Sequence, residues 1–267
     1  MLLTVLMCSF LFKGGVINFA TPRSNLFFVS LWISIKRPVI VQHIESMQRV
    51  KFSKDIIAMV IAILLILIII VAVYLNSFPK PLFPGEVTNY QGQDLSKIND
   101  FVETSIHGPQ YVNASTYRLQ ITGLVNKTVE LTYDQVVSSF QKYQKVVTLR
   151  CVEGWSVKIL WEGFLVKDLL DQAGVDPQAN TVIFYAYDGF SSALPLDYLT
   201  KNNILIAYKI NGVTLPPQNG FPFQLVAESN YGYKWVKWIT KIEVSNNTSY
   251  LGYWENRGYP NNATIPK

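Results

Sequence analysis

The chain has 267 residues, 49% of them hydrophobic and 15% charged, with a formal net charge of +5. That length holds one sizeable domain with short appendages. The charge gives no support for a nucleic-acid partner: residues 1–76 carry seven Lys and Arg against Glu45 and Asp55, whereas residues 77–267 carry sixteen of each sign.

Residues 1–46 hold apolar runs such as 26–35, too short to span a bilayer, and few charges. They are expected to be a spurious or disordered leader, with Met47 as the natural start. Residues 47–76 then have the layout of a signal anchor: Arg49, Lys51 and Lys54 precede 56–75, twenty residues without a charge. At 1.5 Å per residue such a helix is about 30 Å long, one bilayer core. It lacks the polar stripe of a surface helix in a globular domain. The basic flank places the N-terminus in the cytoplasm and everything after 76 outside. Residues 77–86 read as a stalk, because Pro79, Pro81 and Pro84 favour an extended spacer.

Five Asn-x-Ser/Thr sequons all follow the anchor: Asn113-Ala-Ser115, Asn126-Lys-Thr128, Asn246-Asn-Thr248, Asn247-Thr-Ser249 and Asn262-Ala-Thr264. Their density fits a glycosylated outer surface, which requires a eukaryotic or archaeal-type exterior; an Asn- and Thr-rich surface without sugar is the plain alternative.

The folded domain is expected over 87–245, with a polar, aromatic tail over 246–267 that wraps the surface. Residues 117–122 alternate and end at Gly123, predicting a strand, and 129–131 predict a second. Thr132-x-x-Gln135 is a capping box opening a helix to about Tyr143. Val146 to Leu149 predict a buried strand that delivers Cys151 to its end. A short helix over 166–173 stops at Gly174, and a strand over 181–187 meets the turn Asp188-Gly189. The dipeptide Asn211-Gly212 between 205–210 and 213–215 is a hairpin signal. Further strands are predicted over 223–227 and 238–244. Many short strands with a few short helices predict an α+β, β-dominated domain preceded by one transmembrane helix.

Cys151 is the only cysteine after the anchor, so an outer domain would carry one thiol and no internal disulfide. Metal ligation would protect such a thiol from oxidation; a buried apolar Cys is the plain alternative. Zinc hydrolysis needs about three ligands, and the domain offers one Cys and one His with no HExxH or CxxC. Serine hydrolysis lacks a GxSxG.

Three segments resemble the sulfite oxidase superfamily of molybdopterin enzymes, nearest to the catalytic subunits of periplasmic protein-methionine-sulfoxide reductases and their archaeal relatives. They are Arg150-Cys151-Val152-Glu153-Gly154-Trp155-Ser156 with Trp161-Glu162-Gly163, Leu215-Pro216-Pro217-Gln218-Asn219-Gly220-Phe221-Pro222, and Tyr231-Gly232-Tyr233-Lys234-Trp235-Val236-Lys237-Trp238. A weaker match is Ser105-Ile106-His107-Gly108-Pro109-Gln110. The resemblance implies a sulfite-oxidase-type fold holding a molybdenum-molybdopterin cofactor. Cys151 would be the catalytic thiolate and metal ligand, a soft donor suited to that centre. Glu153 would be a nearby catalytic acid. Lys234, Lys237 and the backbone of Trp235 and Val236 would hold the pterin phosphate. Asn99, His107 and Asn219 would contact the pterin. The implied activity is extracytoplasmic oxygen-atom transfer, including sulfoxide reduction. The substrate would be a small or protein-bound oxo compound, with electrons from a membrane haem or quinone carrier. Two departures stand out. Gln224 replaces a usual arginine, and Arg150 is the only arginine near the cysteine, which makes sulfite a poorer substrate. A twin-arginine export signal is also missing: Gln48-Arg49-Val50-Lys51 holds one arginine. The alternative is a cofactor-less relative serving as a cell-surface binding module.

Overall fold

The computed structural model describes residues 53–76 and 81–266; the expected leader with its Cys8 and His43, residues 47–52 of the anchor segment and residues 77–80 of the stalk lie outside these residues. Helix α1, Lys54–Asn76, runs 23 residues. Its length and composition suffice to cross a membrane, and none of its apolar window is buried by protein.

The rest is strand-dominated. A small hairpin, β1 (Asn89–Tyr90) with β2 (Gln93–Asp94), and a 3-10 turn at Ile98–Asp100 lead into an irregular stretch. Then come β3 (Arg118–Gly123), β4 (Val129–Thr132), α2 (Tyr133–Ser139), β5 (Tyr143–Arg150) and β6 (Ser156–Leu165). They are followed by α3 (Val166–Ala173), β7 (Thr181–Ala186), β8 (Ser191–Pro195), α4 (Leu196–Lys201) and β9 (Leu205–Ile210). The last strands are β10 (Val213–Thr214), β11 (Gln224–Val226) and β12 (Ile239–Ser245). One sheet has the order β10-β9-β6-β5 with β11 also on β9, and the other has the order β4-β3-β12-β7-β8. Among the described residues, only β3 and β12 pair in parallel. A core including Trp161, Phe164, Phe184 and Phe223 is buried between these elements. Phe164 stacks on Tyr208 with ring centroids 5.4 Å apart and meets Phe223 edge-on.

Local signals account for several boundaries. Thr132 accepts a hydrogen bond from the Gln135 amide, and the Gln135 side chain accepts one from the Thr132 amide. The helix they open stops at Ser139 rather than Tyr143, because Tyr143 already pairs with Gly163 in the β5–β6 ladder. Asn211 (φ +46°) and Gly212 (φ +80°) make the expected tight turn between β9 and β10. The buried Asn211 also bridges: its side-chain oxygen accepts from the Leu160 amide and its nitrogen donates to the Ser96 carbonyl.

Strand β6 is not legible from pattern, although it joins β5 to β9 at the centre of its sheet. Its second half is buried on both faces, so alternation fades, and Gly163 interrupts it. That glycine is required: a Cβ there would lie 2.0 Å from the Ile206 carbonyl oxygen. The residues after Tyr250 do more than wrap the surface. Glu255 and Ala263 are buried, and Asn230 bridges to Thr264.

Candidate active site

Strand β5 ends at Arg150, and residues 151–155 turn the chain into β6. The Cys151 amide donates to the Trp155 carbonyl, the Gly154 amide donates back to the Cys151 carbonyl, and Gly154 takes φ +93°. This turn sets Cys151 and Glu153 on the wall of a cavity of about 500 Å³, within the usual range for a bound cofactor.

Three further stretches build that wall. Residues 98–106 contribute Asn99, Phe101, Glu103 and Ser105; the loop before β11 contributes Gln218 and Asn219; the loop before β12 contributes Tyr233, Trp235, Lys237 and Trp238. Gln224 of β11 also faces it. The tail supplies Trp254 and Tyr259, whose rings pack 5.3 Å apart, and Tyr259 meets Tyr233 at 5.2 Å. An aromatic rim thus joins the tail to the wall next to Gly232, where a Cβ would come 3.7 Å from the Cys151 Cα.

The half-buried Cys151 is a free thiol. Burial pushes its pKa above the ordinary value; the Glu153 and Val152 amides pull the other way, while the Glu153 carboxylate adds to the rise. A thiolate here therefore calls for a bound cation, which a metal supplies. Glu153 is exposed at the cavity mouth and accepts a hydrogen bond from Trp155 Nε1 at 3.2 Å.

Lys237 extends along the wall with its ammonium 2.9 Å from Glu103 Oε1 and 4.4 Å from the centre of the Trp238 ring. Burial lowers its pKa, and the Glu103 and Asp188 charges partly restore it. Lys234 does not share this position, contrary to the expectation that both lysines hold a phosphate. The 3-10 turn Gly232–Lys234 points it inward, where it is fully buried. Its ammonium meets the Glu255 carboxylate, the Ala193 carbonyl (3.1 Å) and Asn261 Oδ1 (3.0 Å), which uses all three protons. The amides of Trp235 and Val236 are likewise committed, to the Gly232 and Lys234 carbonyls. The Trp235 ring lines the cavity, whereas Val236 does not.

His107 is also set apart. It is exposed, off the cavity wall, with Nδ1 3.0 Å from the Asp188 carbonyl oxygen. It ties the 98–106 wall to the turn after β7. Asn99 lines the cavity and donates to the Pro81 carbonyl at 2.6 Å. Asn219 is buried on the wall.

The wall fits the implied cofactor on an observation of its own. Ser105 Oγ, Asn219 Oδ1 and Gln224 Oε1 are buried, belong to residues that line the cavity and have no hydrogen-bond partner among the described residues. Orphaned polar atoms of this kind are costly unless a ligand satisfies them. A pterin carries the matching N–H groups, Lys237 offers a cation for its phosphate, and Cys151 offers a soft donor for the metal. Sequence reading registered Gln224 only as a departure and did not find Ser105 or Glu103. Their roles rest on partners far along the chain, such as Lys237, 134 positions from Glu103.

The family described as the oxidoreductase molybdopterin binding domain matches residues 107–254. An uncharacterized oxidoreductase, YuiH, of Bacillus subtilis is 34% identical over 152 residues, covering 57% of this chain and 76% of YuiH. The protein-methionine-sulfoxide reductase catalytic subunit MsrP of Gluconobacter oxydans is 32% identical over 196 residues, 65% of this chain and 62% of MsrP. Among solved structures, the sulfane dehydrogenase SoxCD of Paracoccus pantotrophus superposes with a TM-score of 0.54 at 20% identity, over 64% of this chain and 45% of that one. The last likeness concerns the fold alone. With the family match spanning more than half of the sequence and converging on the cavity at Cys151, the chain belongs to the oxidoreductase molybdopterin binding domain family of the sulfite oxidase superfamily, as a molybdenum-dependent oxidoreductase whose cofactor is molybdenum-molybdopterin.

Proposed function

We propose that this enzyme is anchored by α1, presents its domain from about Val87 onward outside the cytoplasm, and reduces sulfoxides to thioethers. The observation that carries the substrate class is the charge of the cavity wall. Among the described residues it holds three carboxylates, Glu103, Glu153 and Asp188, against one cation, Lys237. Lys237 is engaged by Glu103 and is the residue available for a pterin phosphate, so no cation is left for a substrate anion such as sulfite. A neutral sulfoxide meets no such repulsion, and the rings of Tyr233, Trp254 and Tyr259 offer faces on which a sulfur-bearing side chain packs well. The name of the Gluconobacter relative agrees with this reading.

The bound cofactor supplies two-electron oxygen-atom exchange. The chain's own residues do the rest. Cys151 holds the metal. Asn219, Gln224 and Ser105 present acceptors to the pterin, and Lys237 balances the phosphate. Asn99 supports the wall at the 3-10 turn. Reducing a sulfoxide takes two electrons and two protons and releases water. Glu153, exposed beside the thiol, is placed to pass those protons in from solvent. The electrons come from a membrane haem or quinone carrier near the anchor.

The test is a comparison of kcat/KM on the full-length, cofactor-loaded chain. Sulfoxide reduction should exceed sulfite oxidation by at least about tenfold, the worth of roughly 1.4 kcal/mol of charge discrimination. The reverse order would overturn the substrate assignment.

A further inference from the structure

The sequons are not absorbed by the redox function, and the structure separates them. Asn113 and Asn262 share one local geometry. In the first, Oδ1 accepts from both the Ser115 amide (3.0 Å) and the Ser115 hydroxyl (2.9 Å). In the second, Oδ1 accepts from the Thr264 amide (3.2 Å) and the Thr264 hydroxyl (2.6 Å). Both asparagines are exposed, as are Ser115 and Thr264. A sequon needs its hydroxyl residue two places on, and here that hydroxyl already touches the reacting amide. Hydrogen bonds to Oδ1 stabilise the imidate that forms when the amide nitrogen loses a proton, and the imidate nitrogen carries a lone pair free to attack. At Asn247 only the Ser249 amide reaches Oδ1. Asn126 and Thr128 are exposed as well, but at Asn126 neither Thr128 group reaches Oδ1 among the described residues. The sequence motif treats these sites alike, whereas the structure does not.

We infer that Asn113 and Asn262 are N-glycosylated and that Asn126 is not. The donor is a polyprenyl-phosphate-linked oligosaccharide. The Asn nitrogen bonds to the first sugar's anomeric carbon, the bond from that carbon to the lipid phosphate oxygen breaks, the lipid phosphate leaves with the electron pair, and the amide gives up one proton. The inference rests on the extracytoplasmic placement proposed above.

The test is peptide mass spectrometry of the full chain isolated from the membranes of the cells that make it. Trypsin places Asn113 in peptide 98–118, Asn262 in 258–267 and Asn126 in 119–127. The expected result is a glycan mass on the first two, near-complete loss of their unmodified forms, and an unmodified 119–127. Ser115→Ala and Thr264→Ala should each abolish the glycan at its own site alone, whereas Ser115→Thr and Thr264→Ser should keep it. Unmodified 98–118 and 258–267 would overturn the inference. Protease added outside intact cells distinguishes the causes: digestion of the domain with no glycan leaves the placement standing, and protection of the domain means that the placement fails too.

Discussion

Glu255→Gln is expected to destabilise the domain more than any exposed substitution. The Lys234 ammonium has no solvent exposure, and Glu255 is the charge that offsets it. Burial already draws the Lys234 pKa below its ordinary value in spite of that partner. Removing one member of a buried pair costs about 3–5 kcal/mol, because the survivor is left uncompensated. A domain of this size loses about 2–4 °C of Tm per kcal/mol, so the melting temperature should fall by roughly 6–20 °C. The Ser192 hydroxyl, which donates to the same carboxylate, can still donate to the amide oxygen of Gln, so the loss reports the charge. The assay is thermal unfolding of the full-length holoprotein in detergent. The double variant Lys234→Met, Glu255→Leu should recover part of the loss, since an apolar pair of similar volume avoids the desolvation cost. A Glu255→Gln shift under about 2 °C, or a double variant worse than the single, would refute the pair's role in holding the tail against the domain.

Three further outcomes are expected. Gly163→Ala should prevent β6 from pairing with β9, because its methyl group meets backbone 2.0 Å away; failure to accumulate as folded protein, read by circular dichroism, is the check. Glu162→Gln should show a pH signature. Burial works to raise the Glu162 pKa, but hydrogen bonds from Tyr208 and Gln144 and the Lys209 charge outweigh it, and the pKa sits below its ordinary value. The carboxylate therefore stabilises the fold above the unfolded pKa of about 4.3, and that contribution fades as pH falls through the folded value. The gap in Tm between wild type and variant should narrow in acid, and a constant gap would contradict the sign. Lys237→Met should weaken cofactor retention about 10- to 100-fold, the worth of a charge-assisted hydrogen bond, seen as molybdenum lost on dialysis while the Tm of the stripped protein holds.

Much of the fold is legible where a residue's chemistry acts locally. Thr132 and Gln135 announce the start of α2, Gly174 the end of α3, and Asn211-Gly212 a hairpin, because each signal concerns backbone within a few residues. Strand β6 is hidden because burial on both faces erases alternation and because the reason for Gly163 lies on another strand. The site divides the same way. Cys151, Glu153 and Asn219 lie in short motifs and sit together on the cavity wall. The two lysines share a motif but not a direction: spacing places them in one loop, and only the 3-10 turn, with Glu255 behind it, turns Lys234 into the core and leaves Lys237 on the wall. Lys234 is thus a structural cation. His107 follows the same logic, tied to the Asp188 carbonyl rather than lining the cavity.

The central claim is that Cys151 delivers a thiolate to molybdenum at the end of β5. X-ray absorption at the molybdenum edge, on wild type and Cys151→Ser purified from a host that makes molybdopterin, tests it directly. The account predicts stoichiometric molybdenum in the wild type, one fewer sulfur neighbour in the variant, and an unchanged fold. An identical sulfur count in the two proteins would contradict it and remove Cys151 from the metal.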